Sequence, residues 1–375
     1  METISADQSA TLQQENGKSE PAKPSVFDRM QPYEHEQIVH CYDKTTGLKA
    51  IVAIHSTALG PAMGGTRMWN YASDEEALTD AIRLARGMTY KSAISGLNVG
   101  GGKAVLIGDP KKLKNEAYLR RFGRFIDGLG GKYVTAGDVN MTLRDLEYIS
   151  METRHVTGLP ETIGGSGSSG VITAYGVYMG IKAAAKEAYG TDNLEGKKVA
   201  VQGVGAVGRK LTEYLVKEKA VVFASDVSED KLQRISREFG AHVVSMDGIY
   251  DIPADIYSPC ALGATLNDET IARLTCQVIA GGANNQLADE QKHGAMLQKK
   301  GIIYAPDILV NAGGIMAVAA EYLGQYSKEY LFQKAERIYD VCRDVLQQAT
   351  RQQVSSYQIA MQMAEDRITD VSQLR

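Results

Sequence analysis

The chain lacks closely spaced cysteines. Its four, Cys41, Cys260, Cys276 and Cys342, lie far apart, with no CxxC and no histidine clustered beside them. That excludes a zinc site or a disulfide framework and fits a reducing compartment, so no metal is expected and the cytoplasm is. There is no apolar run long enough to span a bilayer. The N-terminus has no basic stretch followed by an apolar one, the mark of a secretory leader. A strong charge of either sign is missing too. A formal net charge of -4 gives no drive towards nucleic acid or an anionic membrane surface. What is present is length: 375 residues predict two domains, each with a sizeable core. Residues 1–25 are polar, with Pro21 and Pro24, and carry too little apolar surface to order themselves; they read as a disordered tail.

The stretch from Gly87 to Lys103 stands out. It holds two lysines, Lys91 and Lys103, in an almost uncharged context, and Gly100, Gly101 and Gly102 precede the second. Glycines let a backbone come close to a ligand. A lysine held there away from water is suited to base chemistry. A phosphate loop is excluded by spacing: Leu97 stands where its first glycine is needed, and Ala104 where Ser or Thr is.

Taken in order, Lys49–His55 reads as a strand, followed by a glycine-rich loop from Gly60 to Arg67. Ser73 and Glu76 have the capping-box spacing that starts a helix, with Leu78, Ile82, Ala85 and Met88 at helical intervals leading to Lys91. Residues 104–107 read as a short buried strand, which puts Lys103 where the loop becomes strand. A helix over 115–129 and a strand over 132–138 follow, the strand ending on Asp138. Gly164–Gly170 is Gly/Ser-rich and reads as a flexible junction before a helix from about Thr173.

A valine-rich strand then runs into Gly203-Val204-Gly205-Ala206-Val207-Gly208 and a helix, and the next strand ends at Asp226. This is the full context of a dinucleotide site: a tight turn, a helix N-terminus for the pyrophosphate and an acid for the ribose. Asp226 would repel a 2′-phosphate, so the cofactor is expected to be NAD. Three more strands, within 254–261, 277–285 and 301–307, end in polar or glycine loops. A helix from about Lys328 carries Leu331, Ala335, Ile338, Cys342 and Leu346 on one face.

Gly64-Gly-Thr-Arg-Met68, Gly87-Met-Thr-Tyr-Lys91, Gly100-Gly-Gly-Lys103, Asp138-Val139, Thr173-Ala-Tyr-Gly-Val177, Pro259-Cys-Ala-Leu-Gly263, Gly282-Ala-Asn284 and Asn311-Ala-Gly-Gly314 accompany that fingerprint. Together they resemble the amino acid dehydrogenases of the glutamate/leucine/phenylalanine/valine group, the leucine branch above all. The resemblance implies an α/β fold in two domains: an N-terminal substrate and oligomerisation domain over 26–165 and a doubly wound Rossmann NAD domain over 166–326. C-terminal helices over 327–375 would return to the first. It implies Lys91 on the substrate carboxylate, Lys103 as general base and Asp138 as proton shuttle. Lys103 must be uncharged to act as a base, and Lys91 and desolvation would favour that form. The nicotinamide end of NAD would be held by Thr173 and Asn284, with Ala261 also at the cofactor. Met63, Gly64, Ala136, Ile315 and Val318 would line the side-chain pocket.

With Met63 where a glutamate-specific enzyme is expected to place lysine, a γ-carboxylate would be buried unpaired, which disfavours glutamate. The implied reaction is reversible, NAD-dependent oxidative deamination of an apolar L-amino acid, leucine or another branched chain, to its 2-oxo acid and ammonia. An aromatic substrate, tryptophan or phenylalanine, is the second reading, because Gly137-Asp-Val-Asn140 resembles a tryptophan-oxidising branch. A silent NAD-binding homologue is the third. Gly137 replaces an expected Glu, Gly167–Val171 lacks expected prolines, and Ala317 and Ala320 replace an expected Asn and Asp. The family implies a homo-oligomer, octameric or dimeric.

Overall fold

A computed structural model describes residues 24–374. The expected tail, residues 1–25, lies outside the described residues but for Pro24 and Ser25. Ser25 caps a short helix, α1 (Val26–Met30), by accepting from the Asp28 N–H.

Two sheets carry the molecule. The first contains β1 (Gln37–Asp43), β2 (Leu48–Ser56), β3 (Ala62–Trp69), β4 (Gly100–Ile107) and β5 (Tyr133–Gly137), in the order β1-β2-β4-β3-β5. β2 is antiparallel to β1 and β4, and β3 is parallel to both β4 and β5. β2 is apolar at almost every position because it is covered on both faces. Ile51 and Ala53 meet Ala77, Ala81 and Ala85 of α2 (Asp74–Ile94). The alternate residues Leu48, Ala50, Val52 and Ile54 meet Leu119, Phe122 and Ile126 of α3 (Glu116–Asp127). Ser73 caps α2 as expected, accepting from the Glu76 N–H at 3.1 Å. Glu76 reaches back one residue further than a capping box requires, to the Ala72 N–H at 2.7 Å.

Two expectations are corrected here. Residues 60–67 were expected as a loop, yet from Ala62 onward they belong to strand β3. Gly100–Gly102 were expected as a loop ahead of Lys103, yet β4 begins at Gly100 and Lys103 is its fourth residue, inside the central strand. The glycines serve close approach, not a turn. A Cβ on Gly64 would lie 1.8 Å from the Gly102 carbonyl oxygen, and neither residue has a positive φ.

The second sheet is wholly parallel. Its strands are β6 (Lys198–Gln202), β7 (Val221–Ser225), β8 (His242–Val243), β9 (Ile256–Pro259), β10 (Val278–Ile279) and β11 (Ile303–Tyr304), ordered β11-β10-β9-β6-β7-β8. Helix α4 (Gly170–Tyr189) leads into it and α5 (Ala206–Lys217) follows β6. After β11 come α6 (Asp307–Val310), α7 (Gly313–Tyr322), α8 (Lys328–Gln352) and α9 (Ser356–Ser372). The apolar face predicted for α8 is buried at all five positions and packs along α4. α9 packs on α2, where Arg367 donates to the carbonyls of Ala93 and Leu97 at 3.2 and 2.8 Å.

The Gly/Ser-rich junction is tied down rather than loose. The Glu321 carboxylate accepts from the N–H groups of Gly158, Leu159 and Ser166 at 2.9, 3.3 and 2.7 Å. Among the described residues no helix is long and apolar enough to cross a membrane.

Candidate active site

A cavity of about 350 Å³ opens between the two sheets. Strands and the segments that follow them build both walls. On one side β3, β4 and β5 bring Gly64, Gly65, Arg67, Lys103, Ala136 and Asp138, and α2 adds Leu84, Met88 and Lys91. On the other, the loops after β10 and β11 bring Asn284, Asp307 and Asn311, α4 brings Thr173, and α7 brings Ile315 and Val318. The second set follows from the topology, since ligands gather at the C-terminal ends of parallel strands.

Lys103 is buried, 5% exposed, and its Nζ lies 2.6 Å from Asp138 Oδ2. The same oxygen accepts from Arg67 Nε at 3.1 Å, and Arg67 Nη1 reaches Asp80 Oδ2 at 3.0 Å, which the Tyr71 hydroxyl also touches at 2.7 Å. Burial pushes the Asp138 carboxyl up. The Lys103 ammonium and the Arg67 guanidinium more than offset it and hold the group below the usual carboxylate range.

Lys91 stands at the end of α2 and donates to Asn284 Oδ1 at 2.7 Å, a bond from one wall to the other. The Asn311 amide donates to the same oxygen at 3.0 Å. Loss of solvent pulls the Lys91 ammonium down to about 8; the Asp307 carboxylate opposes that, and the Lys103 charge adds to it.

The apolar part of the cavity comes from Leu84, Met88, Ala136, Ile315 and Val318, with no cation among them. Met63 is a correction. Expected in the pocket wall, it is fully buried in the core and is not among the cavity-lining residues, whereas Gly64, Ala136, Ile315 and Val318 are. Gly137, where Glu was expected, lines the cavity with open space beside it. An added Cβ would meet only Leu146 Cδ1, at 3.4 Å. Ala317 and Ala320 are buried in the core under α7.

The glycine fingerprint forms the turn from β6 into α5. Gly203 has φ +91°, and a Cβ there would sit 2.6 Å from Ala261 Cβ, so the β6 turn and the loop after β9 close on one another only through glycine. Gly205 is the N-cap of α5. It offers no side chain to the helix's first N–H groups and has open space beside it. The exposed dipole end suits a phosphate group. Asp226 Oδ2 accepts from the Val204 N–H and Oδ1 from the Ser228 N–H, both at 2.9 Å, which fixes the acid at the end of β7; Lys231 lies 3.9 Å away. Of the cofactor set, Thr173, Val207 and Asn284 line the cavity; Gly203, Val204, Gly205, Ala206, Gly208, Asp226 and Ala261 do not.

Reading the sequence missed Arg67, Asp80, Asp307 and Asn311 as individual site residues. Arg67 and Asn311 stood inside quoted motifs, and Asp307 ended a predicted strand, so motif membership and strand-end position were the available signals.

A family model described as "Glu/Leu/Phe/Val dehydrogenase, dimerisation domain" matches residues 35–155. One described as "Glutamate/Leucine/Phenylalanine/Valine dehydrogenase" matches 164–230 and 225–375. The leucine dehydrogenase of Thermoactinomyces intermedius is 56% identical over 343 residues, 92% of this chain and 93% of that one. That of Geobacillus stearothermophilus is 52% identical over 350 residues, 93% and 95% of the two chains. The crystal structure of L-tryptophan dehydrogenase from Nostoc punctiforme superposes with a TM-score of 0.81 at 44% identity, covering 92% of this chain and 99% of that one.

Proposed function

We propose, from the premise that this chain belongs to the Glu/Leu/Phe/Val dehydrogenase family, that it oxidatively deaminates leucine and other branched-chain L-amino acids with NAD. An amino acid, NAD and water give the 2-oxo acid, ammonia, NADH and a proton, reversibly. One observation carries the reading: two lysines and a carboxylate converge on a single cavity whose other wall carries Thr173, Val207 and Asn284.

The residues present fit NAD. The uncapped start of α5 would take the pyrophosphate, Asp226 the ribose hydroxyls, and Thr173 and Asn284 the nicotinamide end. When bound, NAD supplies the acceptor for the hydride leaving the substrate α-carbon.

Lys91 grips the substrate carboxylate as a cation. Asp138, held ionised by Lys103 and Arg67, takes the proton from the substrate ammonium, which must go before the C–H bond can break. After this pair has released a proton to solvent, Lys103 in its neutral form accepts a proton from the water that attacks the imine carbon, and its 2.6 Å contact with Asp138 lets the two exchange protons. The apolar wall excludes a charged side chain and fits an aliphatic one. Residues 26–165 form the substrate domain in this reading, 166–326 the NAD domain, and 327–375 the closing helices. The dimerisation-domain description of the family model that matches residues 35–155 supports a homo-oligomer. The four free thiols suit the cytoplasm.

The aromatic reading has one observation in its favour: Gly137 leaves the Asp138 side of the cavity open. NADH formation across leucine, valine, isoleucine, phenylalanine and tryptophan decides between the two. Leucine is expected to lead, and tryptophan outrunning it would overturn the choice. NAD binding without turnover of any of them would leave a silent homologue. Lys103→Ala should cut turnover by at least about a thousandfold while leaving NAD affinity nearly intact. Normal turnover in that variant would remove Lys103 from the mechanism.

A further inference from the structure

Asp307 is a buried carboxylate for which the reaction as written has no use. It is 3% exposed, yet it lines the cavity. Its oxygens are oriented by backbone: Oδ2 accepts from the Gln286 N–H at 3.1 Å and Oδ1 from its neighbour Ile308 at 2.9 Å. Gln286 ends the loop after β10, two residues past Asn284, and its amide donates to the carbonyls of Gly281 and Ala283 at 2.7 and 2.9 Å. Asn311, one helical turn beyond Asp307, donates to Asn284 Oδ1. Asp307 and Asn311 thus clamp from both ends the loop that presents Asn284 to Lys91. The charged groups facing Lys91 are Asp307, Lys103 and Asp138. Asp138 is already engaged by Lys103 and Arg67, each within hydrogen-bond distance. Asp307 has no cation within salt-bridge distance among the described residues.

We propose that Asp307 is a positioning residue for substrate capture: its carboxylate is the counter-charge that keeps Lys91 a cation and holds it opposite Asn284, so that the incoming carboxylate meets an ammonium. This rests on the reading that Lys91 binds the substrate carboxylate. An opposite charge nearby favours the charged form of its partner, and Lys91 and Asp307 line the same cavity. Removing it would leave Lys91 with its burial and the repulsion of Lys103, both of which favour the neutral amine. Burial pushes the Asp307 carboxyl above the usual aspartate range, with the Gln286 N–H and Lys91 pulling it back. Capture should therefore fail at high pH, where Lys91 is neutral, and should fail sooner when Asp307 carries no charge; at low pH Lys91 stays a cation either way.

The test is the pH dependence of KM for leucine and of Ki for 4-methylpentanoate, the leucine skeleton without its amino group. The wild-type protein should show an alkaline limb in both, near the Lys91 value. In Asp307→Asn that limb should move down by about one pH unit, raising KM about tenfold at pH 9. kcat at its plateau should hold within a few-fold. Asp307→Ser keeps one acceptor for the backbone N–H groups and should behave alike, which guards against an Asn variant that fails to fold. If the limbs stay put while stability or kcat drops, Asp307 is only a loop clamp and the proposal fails. A wild-type Ki profile with no alkaline limb overturns it even if neither variant folds. Absence of any amino acid dehydrogenase activity would instead sink the underlying reading.

Discussion

At the scale of single residues, the site is a set of charges sorted by their neighbours. Asp138 shares one oxygen between Lys103 and Arg67, while Lys91 bonds an amide. This explains why the two lysines are not interchangeable, which sequence alone could not reveal. Both stood out because they interrupt an apolar stretch, but the partner of each comes from distant chain: Asp138 from the end of β5, Asn284 from beyond β10. Arg67 was legible only as part of a motif, because its value lies in reaching two aspartates that the fold brings together. Its removal is informative. The guanidinium is one of the two charges lowering the Asp138 carboxyl, so Arg67→Met should raise that group's pKa. If Asp138 must be ionised to accept the substrate proton, the acid limb of kcat should shift to higher pH by about one unit. A limb that stays where it is would detach Asp138 from the rate-limiting protonation.

At the scale of elements, the sequence was most legible where periodicity was strong and least legible where glycine was dense. α2, α3, α8 and the β6-turn-α5 unit stand where spacing and caps put them. β1 was not anticipated at all; its pattern is mixed because it is an edge strand, half-buried along much of its length. β3 and the start of β4 read as loops because glycine is rare in strand interiors. Here it is required, since two backbones pass so close that a single methyl cannot fit. Gly64→Ala should therefore force β3 and β4 apart. We expect a loss of about 3 kcal/mol or more in unfolding free energy, with activity reduced even below the melting temperature, because Lys103 rides on β4. Near-normal urea denaturation and turnover in this variant would show that the strands can adjust at little cost.

At the scale of the whole molecule, acid is the expected weakness. His55 on β2 is 8% exposed and stacks edge-on against the buried His35, with ring centroids 4.7 Å apart and Nδ1 2.8 Å from Thr89 Oγ1. Burial above all, with His35 and Arg86 nearby, pulls its pKa from 6.5 down to about 3. The unfolded chain then binds the proton more readily than the folded one. The contribution of this group to stability is whole above pH 6.5 and is lost as pH falls towards 3, on the order of 3 kcal/mol by pH 4. Melting temperatures measured from pH 7 to 4 should fall more steeply in the wild type than in His55→Gln. Parallel curves would exclude His55 as the source.

The bond from Lys91 to Asn284 has a last consequence. If Lys91 takes the substrate carboxylate, as proposed, a guest does not enter a vacant cation; it replaces an amide oxygen already in place. A leucine whose acid end is masked as an amide would exchange like for like and gain almost nothing, whereas a free carboxylate gains the attraction between full charges. The cleft can in this way tell a free amino acid from a blocked or peptide-linked one without any steric barrier.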